Sequence, residues 1–321
     1  MDVSISKKTQ RYLSCHHMVT PGIVADWEKS NHAKITPEKA LKKSKLAREI
    51  SVSELQEKIS NHVIGCAECH TSNPQIHKDT FEHNGYKVHV VVTPKDCAIC
   101  HPKETSQYQK SKMAHAYKNL MGNPIYKELV ETVVAMPQMQ KGILTQEPIG
   151  ETAEADSCLA CHGTVIKVKG LKQIETAMGK MSFPVLMGWP NQSVGRVNPD
   201  GSIGSCTSCH TRYSFSIAMA RKPYTCAQCH KGPDVPAYKV YMISPHGAIF
   251  KSLSSKWNFS HTPWVIGKDF TAPTCATCYA SLLVDKIGRV IAERTHQFND
   301  RLATRIFGIY AHPQPNQLIQ L

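Results

Sequence analysis

Five copies of C-x-x-C-H limit this 321-residue chain more tightly than any other feature. They are Cys66, Cys69 and His70; Cys97, Cys100 and His101; Cys158, Cys161 and His162; Cys206, Cys209 and His210; and Cys226, Cys229 and His230. A further pair, Cys275 and Cys278, is followed by Tyr279 in place of histidine. The thirteenth cysteine, Cys15, precedes His16, with Tyr12 where a first cysteine would stand. C-x-x-C-H is the attachment signature of c-type haem. Two thiols at this spacing reach two vinyl groups on one edge of a planar ring. The next residue turns its imidazole beneath the ring to the iron. Zinc sites pair C-x-x-C units without a histidine fixed at the following position. A disulfide framework has no use for the histidine, and a chain this long can build a core without one. The pattern predicts five haem c groups, and up to seven if the sites at Tyr12–His16 and Cys275–Tyr279 are filled.

Haem accounts for two unusual features of the composition. Aromatic residues make up only 7% of the chain, and the formal net charge is +13. Porphyrin rings supply the missing bulk, so a core built around stacked haems is expected. Each haem brings two propionates, so five to seven haems add about ten to fourteen carboxylates, which balance much of the basic excess. No basic stripe is interleaved with aromatics, so nucleic acid is not an expected partner. Thioether formation follows export, which points to a periplasmic or extracellular location. Residues 1–10 lack the apolar stretch of a signal peptide, so the numbered chain reads as a mature, trimmed or partial form. No apolar run of roughly 18 residues is present to form a transmembrane helix. A membrane link would come through a partner.

The attachment sites are unevenly spaced and no long low-complexity linker divides them, so one multihaem body over residues 1–321 is expected. The fold class is expected to be mainly α, with little regular β structure. Thr36 and Pro37 form a cap and first-turn proline, and Ser51 with Glu54 resembles a capping box carrying that helix on to about Ser60. Asn123 and Pro124 open another helix, with Ile125, Leu129 and Val133 on one face and Pro137 as its stop. Residues 86–92 alternate as a short strand, and 164–169 read as a second. The Gly-, Pro-, Asn- and Ser-rich stretch 182–205 reads as an ordered loop.

Histidine is abundant, with 17 residues. Six follow a cysteine of a site: His16, His70, His101, His162, His210 and His230. Six-coordinate haem needs a second axial ligand, commonly another histidine. His32, His62, His115, His246, His261 and His296 are the favoured candidates. His32, His115 and His246 are each followed by alanine or glycine, which lets a haem face approach. His77 and His89 are weaker candidates. His17, His83 and His312 read as ordinary side chains.

Several segments resemble octahaem hydroxylamine oxidoreductase-like cytochromes. They are Pro21–Trp27 with Ser30–Ala33, Ser111–His115, Arg196–Gly201, Cys206–His210 with Arg212, and Ala272–Cys278. The likeness covers nearly the whole chain. It implies bis-histidine haems that carry electrons, and an active-site haem fourth in order, here Cys158, Cys161 and His162. Seven sites match the family order and the eighth is missing, so a C-terminally shortened member is expected. The family places an Asp-His pair over the active-site haem in a Gly-Pro-Asp-His stretch. This chain has Gly232, Pro233, Asp234 and Val235. The resemblance therefore gives His162 and Asp234 catalytic roles, while Val235 cannot move protons. Tyr213 stands where members often have a histidine, and Tyr279 replaces a proximal histidine. A tyrosinate can bind haem iron, as in catalase, while a neutral phenol is a poor ligand.

Two functions compete. One is an enzyme that oxidises or reduces a small nitrogen-oxide substrate at the fourth haem. The other is a non-catalytic conduit or extracellular wire with every haem six-coordinate. Either would exchange electrons with partner cytochromes or quinone-linked proteins, and either is compatible with a homo-oligomer.

Overall fold

The computed structural model describes residues 3–147, 150–176, 178–188, 193–232, 235–299 and 301. Secondary structure is mainly helical, in short pieces, the longest being Lys7–Val19. Helices Cys66–His70, Cys158–His162 and Cys275–Tyr279 each span one attachment motif. This local choice follows from the chemistry. Residues three apart share a helix face, so one turn aims both thiols at the same ring edge.

Strands are few and separate. Three antiparallel ribbons pair Phe81–His83 with Tyr86–Val88, Met136–Gln140 with Ile143–Glu147, and Lys167–Thr176 with Gly179–Met187. A small sheet joins Trp264–Val265, Leu283–Val284 and Val290–Ala292. Among the described residues no helix is long and apolar enough to cross a membrane.

The chain divides into two compact units. The first comprises residues 1–68, 97–112 and 209–321. One of its apolar clusters holds Phe250, Phe259, Trp264, Phe270 and Leu283. Arg221, nearly fully buried, lies 4.8 Å over the Trp264 ring and donates to the Phe259 and His261 carbonyls. A second cluster gathers Leu13, Val24, Trp27 and Val63, with Tyr213 and Cys66 against it. The other unit comprises residues 69–96 and 113–208 and carries the fourth attachment motif and the three ribbons.

Three sequence expectations fail locally. The helix opened by Thr36 runs only over Pro37–Leu41, and helix resumes at Glu57–Ser60. Between them, the Ser51 and Val52 amides donate to the Cys100 carbonyl, and the Ser51 hydroxyl donates to Glu104 at 2.5 Å. Tertiary hydrogen bonds to the third motif thus take the groups that a capping box would have used. The next helix forms at Tyr126–Val134, but Ile125 and Leu129 are exposed while Tyr126 and Val130 are buried. The Val133 side chain lies outside the described ones. The helix does end ahead of Pro137, which sits in the ribbon strand that follows. The expected loop at 182–205 begins late, because strand Gly179–Met187 runs through its first residues, while 193–205 is turn and irregular chain.

Candidate haem sites

Of the thirteen cysteines, twelve are half-buried and Cys278 is exposed. Among the described residues only His77, Asp79 and His89 converge as a group of metal-ligating side chains. The motif cysteines therefore form no zinc cage. Thiols on helical turns, each beside an imidazole, fit covalent haem.

The histidines give a sharper test. An iron held between two opposed imidazoles, each at about the 2 Å of a metal–imidazole bond, puts the ring centroids roughly 6 Å apart. His32 and His101 stand 6.3 Å apart with their planes at 69°. His210 and His296 also stand 6.3 Å apart, with planes at 20°. Both pairs lie in the first unit. Burial first, then neighbouring histidines, pushes His32 down to about 4. Burial likewise takes His210 to about 4 and His296 to about 3, and lowers His101. These rings are neutral at pH 7, the state in which imidazole donates to a metal. Nδ1 of His32 and Nδ1 of His296 are closed to solvent and have no hydrogen-bond partner among the described residues.

Spacing alone is not sufficient. His70 and His89 are 6.1 Å apart, yet His70 Nδ1 donates to the His89 carbonyl at 2.8 Å. Both ring nitrogens of His89 lie against backbone carbonyls, Val91 at 3.3 Å and Ser72 at 3.0 Å, so His89 is not the facing ligand. It does what an outer partner does for a metal-binding histidine: it fixes tautomer and ring orientation. The same engagement of Nδ1 recurs elsewhere. His16 bonds Thr20 Oγ1 at 2.8 Å, and His162 the Ala116 carbonyl at 3.4 Å. His261 bonds the buried Asp269 carboxylate at 2.7 Å, and His62 bonds Ser4 Oγ at 3.0 Å. Each leaves Nε2 for another purpose.

At the fourth site two glycines allow close backbone approach. Gly163 has φ +106°, and a Cβ there would lie 2.4 Å from the Gly195 carbonyl carbon. A Cβ on Gly195 would lie 2.2 Å from the His162 oxygen. The segment after the motif is thereby pressed against 193–196. Nearby, the buried Tyr126 hydroxyl donates to Glu154 at 3.1 Å and also bonds Cys158. Burial, Glu154 and Cys158 all push the Tyr126 phenol pKa upward.

The remaining candidates are placed as follows. His115 precedes helix Ala116–Met121 and is half-buried. His230 and His246 are exposed. Among the described residues, the structure brings neither His62, His246 nor His261 opposite a second imidazole at the 6 Å spacing. Asp234 and His312 lie outside the described residues, and Val235 is exposed. At the first site Tyr12 is buried, its ring 6.4 Å from His16 on the same helix. At the seventh, Thr274 and Thr277 form a capping box for the Cys275 turn. Burial first, then Cys278 and Cys275, raises the Tyr279 phenol. The Cys226 and Cys275 sulfurs lie next to each other, so the sixth and seventh motifs meet at their first sulfurs.

Sequence reasoning missed one cluster. His77 Nε2 bonds Asp96 Oδ1 at 3.2 Å, and its Nδ1 faces Asp79 Oδ1 at 3.5 Å. Its ring stacks on His89 at 3.5 Å with 8° between planes. Burial opposes the charge on His77, but the adjacent Asp79 and Asp96 carboxylates outweigh it and hold the ring up at about 9. The Thr93-x-x-Asp96 spacing, a capping signature, was the available signal.

Comparison with known proteins agrees with the haem chemistry. Residues 200–299 match the family described as "Seven times multi-haem cytochrome CxxCH". Residues 96–182 match "Cytochrome c554 and c-prime". The chain is 26% identical over 283 residues to a Kuenenia stuttgartiensis protein described as "Probable nitrite reductase-hydroxylamine oxidoreductase fusion protein", covering 86% of this chain and 26% of that one. A solved "Hypothetical multiheme protein" superposes with a TM-score of 0.87 at 49% identity, over 92% of this chain and 57% of its own. A chain of the "Kuenenia stuttgartiensis reducing HAO-like protein complex Kustc0457/Kustc0458" superposes at 0.52 with 21% identity, over 85% and 42%, a likeness of fold. The chain thus spans about a quarter of the curated relative and about half of these structures.

Proposed function

We propose that the chain is a hydroxylamine oxidoreductase-like multihaem c-type cytochrome, and that its sites divide the work as follows. It carries haem c and transfers electrons. The reading is that at least five haems, and up to seven, form one electron-transfer series. The observation that carries it is the two opposed imidazole pairs, His32 with His101 and His210 with His296, each at 6.3 Å. Two neutral nitrogens on one iron favour a six-coordinate carrier that binds no substrate.

At the fourth site the reading is small-molecule redox on a nitrogen oxide, either hydroxylamine oxidation or reduction of nitrite or hydroxylamine. Bound haem c would supply there a redox-active iron with a coordination position for the substrate. His162 would hold the iron, with its Nδ1 proton committed to the Ala116 carbonyl. Among the described residues no second imidazole faces His162 at the 6 Å spacing, which supports an open distal side. Asp234 is the residue proposed to handle protons. The conduit reading keeps one observation in its favour: Val235 replaces the histidine that would share that task. Because thioether formation follows export, the proposed location is the periplasm or outside the cell, with electrons exchanged with partner cytochromes or quinone-linked proteins by a monomer or homo-oligomer.

The deciding experiment is ferric-state electron paramagnetic resonance with an assay of hydroxylamine oxidation and nitrite reduction using artificial electron carriers. A high-spin component lost in His162→Ala, together with turnover, supports the enzyme. All-low-spin haem without turnover leaves the conduit.

A further inference from the structure

We propose that the buried cluster of His77, Asp79 and Asp96 is a positioning device for His70, the proximal ligand of the second haem. It acts through the backbone of residues 89–93. The inference rests on reading the second motif as a haem site.

The chain of contacts is continuous. His70 Nδ1 donates to the His89 carbonyl at 2.8 Å, and the His89 amide donates back to the His70 carbonyl at 2.9 Å. The orientation of the His70 ring therefore depends on where the His89 peptide is held. Two carboxylates hold it. Asp79 Oδ2 accepts from the Val90 and Val91 amides at 2.9 and 2.8 Å. Asp96 Oδ2 accepts from the Thr93 amide at 2.9 Å, and its Oδ1 accepts from Ser72 Oγ at 3.0 Å, next to the motif itself. His77 bridges the two carboxylates and lays its ring on His89, whose Nε2 meets the Ser72 carbonyl at 3.0 Å. The His77 and Asp79 side chains have no solvent exposure.

A divalent-cation site is the competing use of His77, Asp79 and His89. The geometry argues against it. Imidazole lone pairs lie in the ring plane, and these planes are parallel within 8° and 3.5 Å apart. An ion in one plane is out of line with the other ring's nitrogen. Both His77 nitrogens already face carboxylates, Nε2 at 3.2 Å from Asp96 Oδ1 and Nδ1 at 3.5 Å from Asp79 Oδ1. The carbonyl that accepts the proximal proton sets how strongly the imidazole donates to iron, so outer partners of this kind tune a metal centre.

The test uses the haem-loaded full chain with His77→Ala and His77→Gln. Intact mass first counts haems in the parent; absence of haem on Cys66 and Cys69 would remove the underlying reading without bearing on the cluster. Given haem there, His77→Ala is expected to shift one low-spin signal and one midpoint potential, leaving the others in place, or to lose that one haem. His77→Gln, which keeps a donor for one carboxylate, is expected to give a smaller shift of the same component. If His77→Ala does not mature, His77→Gln decides alone. Spectra and potentials superimposable on the parent in the variants that mature would overturn the proposal.

Discussion

Raising the pH should loosen the segment around the second motif, and His77 sets both the window and the size of the effect. Its pKa stands at about 9 against an ordinary 6.5. A raised folded pKa stabilises the fold fully below the unfolded value, and that contribution is lost as pH rises through the folded one. The contribution should therefore be intact at pH 6 and fade between about 6.5 and 9. The difference corresponds to about 3 to 4 kcal/mol at most, or roughly three-hundredfold in a local opening equilibrium. The side chain is wholly buried, so solvent screening takes little from this figure. Hydrogen exchange at the Val90 and Val91 amides, corrected for the intrinsic pH dependence of exchange, reads the effect directly. Their protection should drop by up to that factor across the window, and His77→Gln should remove the dependence. Equal pH profiles in parent and variant would refute the reasoning, because the carboxylate-bridged imidazolium would then not be holding the segment.

Other outcomes follow from the sites. Intact mass should exceed the polypeptide by at least five haems, with thioether adducts on every cysteine of the five complete motifs. His32→Ala and His296→Ala should each convert one low-spin haem to high-spin, and added imidazole should reverse the change. Tyr279→Phe should leave the optical spectrum of the seventh site unaltered near neutral pH, since burial keeps that phenol protonated, whereas Tyr279→His should introduce a new low-spin component. Val235→His should raise any nitrogen-oxide turnover, by as much as about 10²–10⁴-fold if proton delivery limits the rate, while His162→Ala abolishes it in the same steady-state assay.

The attachment chemistry was readable from the chain because it is local. Two thiols and an imidazole must lie within one helical turn, so the sequence spacing already contains the geometry. The facing ligands are another matter. His32 and His296 look no different in sequence from His62 or His246. Only the fold sets His32 beside His101 and His296 beside His210. Helix boundaries failed for a related reason. Ser51 and Glu54 carry a sound capping pattern, but the Ser51 amide and hydroxyl are taken by Cys100 and Glu104, and no propensity scale registers a remote acceptor.

The His77 cluster lies between these cases, and it marks where local reading stops. Thr93 and Asp96 do what their spacing announces, since one Asp96 oxygen accepts from the Thr93 amide ahead of helix Pro94–Cys97. A cap uses only that one oxygen. The other is free to bond His77 and Ser72, neither of which a three-residue pattern can see. Asp79 offers no motif at all, yet it binds two successive amides beyond the ribbon turn. Burying two carboxylates side by side is costly unless a cation is shared between them. The histidine at 77 is therefore better read as their counter-charge than as a ligand. That assignment could be made only once both carboxylates were found on either side of the same ring.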